Sequence, residues 1–195
     1  MANQQRHPPI IKLHGACLRP LRWADAYALY AYLSDPVVTE RTSYPNVTLS
    51  LVNTMIERTL NRWTAGELSK WGIALTADDQ LVGTCGFNEW SQAHRWAELA
   101  YDLAPAHWGQ GLMRQAVVAA LQWVFDQNLV NRVQAYVRVD NLRSQGLLER
   151  CGFVREGCLR SFRICQGQAH DFYIYGLLSS DWSAQHIPDA TREMG

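Results

Sequence analysis

The sequence has no surplus of charge of either sign. Its 195 residues carry 18 Lys and Arg against 18 Asp and Glu, a formal net charge of zero. A dedicated nucleic-acid binder needs a basic balance to neutralise phosphates, so no direct nucleic-acid partner is expected. Long apolar runs are missing as well, and nothing approaches the ~20 residues that span a bilayer. The opening MANQQRHPPIIKLHG is polar and proline-bearing, without the apolar core of a signal peptide. A cytoplasmic chain with no membrane partner is the expectation. Cys17, Cys85, Cys151, Cys158 and Cys165 are odd in number and never spaced C-x-x-C. That argues against a disulfide framework or a structural zinc, and leaves free thiols and no metal. No G-x-S-x-G and no P-loop lysine motif occurs, which removes the serine-hydrolase and nucleotide P-loop readings. Nor is there an internal repeat, a low-complexity tract or a linker.

What remains fits one α/β domain with a substantial core. Residues 1–14 read as a flexible tail, 15–182 as the domain, and 183–195 as a second tail. A strand is expected at Cys17–Leu21 and a helix at Trp23–Ser34, ended by Asp35-Pro36. Residues 37–46 read as an irregular loop. A second helix, capped by Thr48 or Ser50, runs to about Ala65 before Gly66. Strands Lys70–Thr76 and Gln80–Glu89 form a hairpin over an acidic turn, and Gly83 and Gly86 mark a bulge or a close neighbour. A strand at Arg132–Val139, a helix at Leu142–Cys151 and strands at Val154–Cys165 and His170–Leu178 follow, the last two turning at Gln166-Gly167-Gln168.

The stretch around which the rest is organised is Glu98–Val124. Leu99, Tyr101 and Leu103 alternate with Glu98, Ala100 and Asp102 at the period of a strand. Pro105 stops that strand, and Gly109 and Gly111 permit a tight turn. Val117, Ala120, Leu121, Val124 and Phe125 then repeat at helical spacing. The unpaired N–H groups and dipole of a helix start form an anion site when small residues allow approach. No acid occurs from Leu103 through Phe125, and Arg114 lies in the opening turn, which suits an anion arriving from outside. A plain strand-to-helix turn without a ligand is the alternative.

Two further features bear on chemistry. In VDNLRSQGLLERCGF, Val139–Phe153, Asn141 can cap a helix with Leu147, Leu148 and Cys151 on its apolar face, and Gly152 can close it. Ser144 is then either an exposed hydroxyl or a functional one. Glu98 opens the central strand and is either a general base or a strand-edge charge paired with Arg95 or Arg132. Tyr173 and Tyr175 are secondary candidates. His170 and Asp171, adjacent in a strand, face opposite ways and make no dyad.

HWGQGLM, His107–Met113, resembles motif A of the GNAT N-acetyltransferase superfamily, whose loop reads Gln/Arg-x-x-Gly-x-Gly/Ala. Gly111 falls on the central glycine, Trp108 stands where Gln or Arg is usual, and Met113 replaces the last small residue. The WGQG wording is similar to the RimJ/RimL-like branch. Val139–Phe153 resembles motif B, and AELAYDL resembles the family's Ala-Glu-hydrophobic-Gly-Tyr. The resemblance covers about Leu18 to Trp182. It implies an α/β (α+β) fold with a mixed, mostly antiparallel sheet of six or seven strands. That sheet is splayed after the central strand and flanked by about four helices. It also implies acetyl-CoA as cosubstrate, held by Tyr101, Leu103, Trp108, Gly109, Gln110, Gly111, Leu112, Met113, Arg114, Asn141 and Ser144. Catalysis would fall to Glu98, which relays the amine's proton, and to Ser144, which protonates the thiolate. A backbone N–H near Leu103 would serve the thioester carbonyl. Transfer would be direct, to a protein N-terminal amine such as that of a ribosomal protein. The second choice of acceptor is a small amine: a polyamine, an amino acid or an aminoglycoside. A non-catalytic acyl-CoA sensor is the rival reading, and homodimers are common among relatives. The acceptor side would be built by residues 37–46, the second helix and residues 166–171. A dinucleotide-binding module needs a longer glycine fingerprint and a later acid that this chain lacks.

Overall fold

A computed structural model describes residues 8–40 and 46–186. Eight strands form one sheet in the order β1-β2-β3-β4-β5-β6-β8-β7. The strands are β1 (Ile11–Lys12), β2 (Ala16–Arg19), β3 (Lys70–Leu75), β4 (Leu81–Ser91), β5 (Trp96–Leu103), β6 (Arg132–Arg138), β7 (Val154–Cys165) and β8 (Gln168–Leu178). The helices are α1 (Ala26–Leu33), α2 (Pro36–Thr39), α3 (Leu49–Thr64), α4 (Leu112–Asp126), α5 (Leu142–Arg150) and α6 (Ser179–His186). Every neighbouring pair is antiparallel except β5–β6.

That parallel pair shapes the molecule. Its register runs only from Trp96↔Arg132 to Glu98↔Gln134. Beyond Glu98, β5 stays paired to β4 as far as Leu103, and β6 stays paired to β8 as far as Arg138. The two halves of the sheet therefore part after Glu98 and leave a cleft between two strand edges. Ala116, Val117, Ala120, Leu121 and Val124 of α4 are fully buried in one core with Leu99 and Leu103 of β5 and Val133 and Ala135 of β6, so both halves of the sheet share that core. Trp71 adds an edge-on aromatic cluster, with ring centroids 4.9 Å from Trp63 and 5.2 Å from Trp123. Leu29 and Leu33 of α1, Val52 and Ile56 of α3 and Leu81 of β4 form a second core.

The glycines expected to mark irregularity do so. Gly86 has φ +151°, and a Cβ there would stand 2.6 Å from Lys70 Cα. The next turn of pairing slips between Phe87 and Glu89, leaving Asn88 as the extra residue opposite β5. Thr48 caps α3 through its hydroxyl, which accepts from Leu51 N at 3.2 Å.

The sheet has more strands than the six or seven expected, and six helices stand among the described residues rather than about four. The additions are short. Ile11–Lys12, inside the expected tail, pairs with Leu18 and Cys17, and Pro9 O accepts from the buried Trp71 indole at 2.9 Å. Within the expected loop, Pro36 opens the four-residue α2, because Asp35 Oδ1 accepts from Val37 N at 2.9 Å. Residues 41–45 of that loop lie outside the described residues, as do 1–7 and 187–195 of the expected tails. Past Leu178 the chain turns into α6, where Trp182 is buried 5.9 Å from the Phe125 ring. Glu98 does not open its strand: Trp96 and Ala97 precede it, paired on both sides to β4 and β6. It sits instead at the last joined position before the cleft.

Candidate active site

The cleft between β5 and β6 is lined by Glu98, Tyr101, Tyr136, Arg138, Asn141, Ser144, Lys70, Arg163 and Phe172, among others. Successive strand side chains alternate in direction, so Glu98 and Tyr101 leave β5 on opposite faces. The open seam gives both access to the same space. Expected site residues that lie far apart in the chain, Glu98, Tyr101, Asn141 and Ser144, are thus brought together.

Ser144 owes its position to a cap. Asn141 Oδ1 accepts from Ser144 N at 3.2 Å, fixing the first turn of α5 against the cleft. Its hydroxyl lies 2.6 Å from that of Tyr101. Burial holds the Tyr101 phenol well above its ordinary pKa, only partly opposed by the bond to Ser144. The pair is therefore a protonated, connected store of one transferable hydrogen at neutral pH.

Glu98 is buried at 4% exposure, and its Oε1 accepts from Arg163 of β7 at 3.2 Å. The partner is thus neither Arg95 nor Arg132. Arg95 binds Asn128, and Arg132 pairs with Glu156. Among the described residues no donor reaches Oε2 of Glu98. The Arg163 guanidinium lies 5.1 Å from the Tyr136 and Phe162 ring centroids and 5.7 Å from that of Phe172. Those rings pack on one another, with Tyr136 and Phe162 4.9 Å apart. Arg163 and its three rings escaped the sequence reading, and only the aromatic alternation of FYIY hinted at a lined wall. Lys70, also unforeseen, lies 3.8 Å from Asp102, whose buried carboxylate accepts from Tyr32 and Thr84 hydroxyls at 2.5 and 2.8 Å. Tyr173 and Tyr175 do not line the cleft. Tyr175 is buried and donates to Glu149 of α5 at 3.1 Å, and Tyr173 stacks on Arg155.

The glycine loop lies beyond the far end of β5. Gly109 and Gly111 have φ +75° and +79°, and nothing stands within 4 Å of a Cβ built on either. The first intrahelical bond of α4 runs from Gln115 N to Gly111 O at 3.1 Å. The N–H groups of Leu112, Met113 and Arg114 thus point out of the helix start, with no acid in that turn. Leu112 and Met113 turn their side chains into the core, so only their backbone faces this space. Arg114 is exposed, and Gln110 folds back onto Ala106 O at 2.8 Å. Trp108 braces the loop: its indole donates to Leu103 O at 2.8 Å, and Arg143 of α5 stacks 4.2 Å above its ring. Leu103 is buried, with its carbonyl so occupied. An open, cationic helix start leading to a narrow cleft fits a pyrophosphate with a long thin arm.

The Acetyltransferase (GNAT) domain family matches residues 16–154. An uncharacterised N-acetyltransferase, p20, of Bacillus licheniformis is 34% identical over 170 residues, 85% of this chain and 94% of that protein. The [ribosomal protein uS5]-alanine N-acetyltransferase of Escherichia coli is 26% identical over 169 residues, 83% and 84% of the two chains. Among solved structures, RimL, a ribosomal L7/L12 α-N-protein acetyltransferase in complex with coenzyme A, superposes with a TM-score of 0.80 at 21% identity. That alignment covers 87% of this chain and 98% of RimL.

Proposed function

This chain belongs to the GNAT acetyltransferase family and is an acetyl-CoA-dependent N-acetyltransferase, and on that premise we propose that its acceptor is the α-amine of a protein N-terminus. The observation that supports transfer at this site is that Glu98 and the Tyr101–Ser144 pair open onto one seam, although Glu98 and Tyr101 leave β5 on opposite faces. Relatives named for ribosomal-protein acetylation support the choice of acceptor.

Acetyl-CoA supplies the activated acetyl group. The N–H groups of Leu112, Met113 and Arg114, with the clear space over Gly109 and Gly111, take its pyrophosphate. The arm then runs along the edge of β5 left bare beyond Glu98, past Asn141. The amine must be neutral to attack, and Oε2 of Glu98 receives its proton. Arg163 holds Oε1 and so keeps the carboxylate turned to the cleft. Ser144 Oγ gives a proton to the departing sulfur while taking one from Tyr101 across their hydrogen bond. Exchange with solvent through the open cleft then restores the phenol's proton and takes the amine's proton from Glu98. The reaction needs no acyl-enzyme, and no cysteine lines the cleft among the described residues.

Peptides with free Ser, Ala, Thr or Met N-termini, incubated with acetyl-CoA beside polyamines, amino acids and aminoglycosides and read by mass spectrometry, test this reading. Product on a peptide α-amine is expected. Product confined to small amines would overturn the acceptor. Glu98→Gln should lower turnover at least about 100-fold with acetyl-CoA affinity held within about twofold. Unchanged turnover across pH at saturating substrates would remove Glu98 from the mechanism.

A further inference from the structure

The wall of the cleft beside Glu98 has the make-up of a cation-binding box. One buried carboxylate and three aromatic rings converge on a single point. Rings and a carboxylate so arranged attract alkylammonium groups. In this chain the box is already filled by one of its own side chains. Arg163 lies 3.2 Å from Glu98 and within 5.1 to 5.7 Å of the centroids of Tyr136, Phe162 and Phe172.

We propose that Arg163 is the specificity-determining residue of the acceptor site, its guanidinium filling the box that an alkylammonium acceptor would otherwise take. The inference rests on the reading that the acceptor amine meets Glu98. A carboxylate already compensated by a guanidinium gives little stabilisation to a second cation. An acceptor must then shed its proton at close to its cost in water. An α-amine, with a pKa near 7.8, is neutral in about one molecule in seven at pH 7. A lysine-like alkylamine, with a pKa near 10.4, is neutral in about one in 2,500. In water the available neutral form thus favours N-terminal α-amines by a factor of about 340, and Arg163 preserves that bias by denying an alkylammonium the box that would offset part of it. The other charged groups lining the cleft do not supply this discrimination. Lys70 lies against Asp102, and Arg138 is held in a two-pronged contact with Asp140 at 2.6 Å.

The position of Arg163 makes the device local. It stands on β7 next to the second slip in that strand's pairing, between Leu159 and Arg163. The irregularity turns the residue inward from an otherwise exposed edge strand, and its side chain keeps only 31% exposure. Replacing it removes its contact with Glu98 of β5 and leaves the pairing of β5 with β4 and β6 in place.

The test compares wild type with Arg163→Gln and Arg163→Lys, each loaded with coenzyme A, by calorimetric titration with butylamine and 1,4-diaminobutane. Arg163→Gln should bind both amines about tenfold more tightly than wild type. Arg163→Lys, which keeps a cation in the box, should stay close to wild type, and Glu98→Gln combined with Arg163→Gln should lose the gain. In acetyl-transfer assays the preference for a Ser N-terminal peptide over 1,4-diaminobutane, measured as a ratio of kcat/KM, should shrink about tenfold in Arg163→Gln. Equal amine affinity in wild type and a folded Arg163→Gln overturns the proposal. A gain in amine binding with no acetylated product on any acceptor would uphold the box and refute instead the reading of the site as an α-amine transferase.

Discussion

Removing the hydroxyls of Tyr101 and Ser144, singly and together, tests whether they act as one proton-donating unit. The two oxygens are 2.6 Å apart, and burial keeps the phenol protonated well above its ordinary range. Tyr101→Phe or Ser144→Ala each deletes one intramolecular hydrogen bond, worth about 0.5–1.5 kcal/mol of stability. For a chain of this size that lowers Tm by roughly 1–6 °C, so the variants stay folded. Turnover responds more strongly. Losing general-acid assistance at the low end of its range costs about 100-fold, or about 2.7 kcal/mol. Independent groups would multiply to about 10⁴-fold in the double variant. Two members of one relay should not, because either deletion already breaks it, and the double variant should lose only about 100- to 300-fold. The coupling is then about 2 kcal/mol. The assay is release of free coenzyme A with a thiol reagent, at saturating acetyl-CoA and peptide, beside thermal denaturation of each variant. Because Tyr101 holds its proton, its ionisation should cause no fall in kcat of wild type below about pH 10. A double variant that multiplies the single losses, or single variants within twofold of wild type, would refute the relay.

Other parts of the molecule are open to equally direct tests. Gly111→Glu puts an anion and a left-handed strain into the opening turn of α4, where φ is +79°. Calorimetry should detect no acetyl-CoA binding, and normal affinity would show that the pyrophosphate lies elsewhere. Asp102→Ala leaves Tyr32, Thr84 and Lys70 facing a lost carboxylate. The cost should be about 3–5 kcal/mol, or roughly 6–20 °C in Tm, and a loss under about 1 kcal/mol would contradict this account of its burial. Arg132, hydrogen-bonded to Glu156, holds that carboxyl below its ordinary range. A depressed carboxyl stabilises the fold above its unfolded pKa, near 4.3, and loses that contribution as pH falls through the folded value. Glu156 is partly exposed, so the effect should stay under about 1 kcal/mol. Glu156→Gln should therefore lower Tm by a few degrees at pH 7 and leave it unchanged at pH 2.5. An equal deficit at both would remove the ion pair as its cause.

Local pattern carried much of this molecule. Alternation at Leu99, Tyr101 and Leu103, helical spacing from Val117 to Phe125, and the Gly109–Gly111 turn each depend on contacts within a few residues, and all are present as expected. So is the Asn141 cap, because a side chain reaching a backbone N–H three residues on depends on little else. The short additions were hidden for the opposite reason. Ile11–Lys12 is a strand only because β2 lies beside it, and α6 is anchored by Trp182 meeting Phe125 from a distant helix. The site divides along the same line. Glu98, Ser144 and the glycine loop were recognisable by residue type and order. Their partners were not. Arg163 reaches Glu98 across 65 residues, after two slips in the pairing of β7 that no periodicity records. Tyr101 and Ser144 meet only because β5 and β6 stop pairing at Glu98 and the start of α5 reaches the edge of the cleft so opened. The sequence by itself determined the main strands and helices and the Gly109–Gly111 turn, whose interactions are short in range. The cleft, its proton-bearing pair and the arginine-filled box were decided by tertiary structure, because each is made where two separately formed halves of the sheet part.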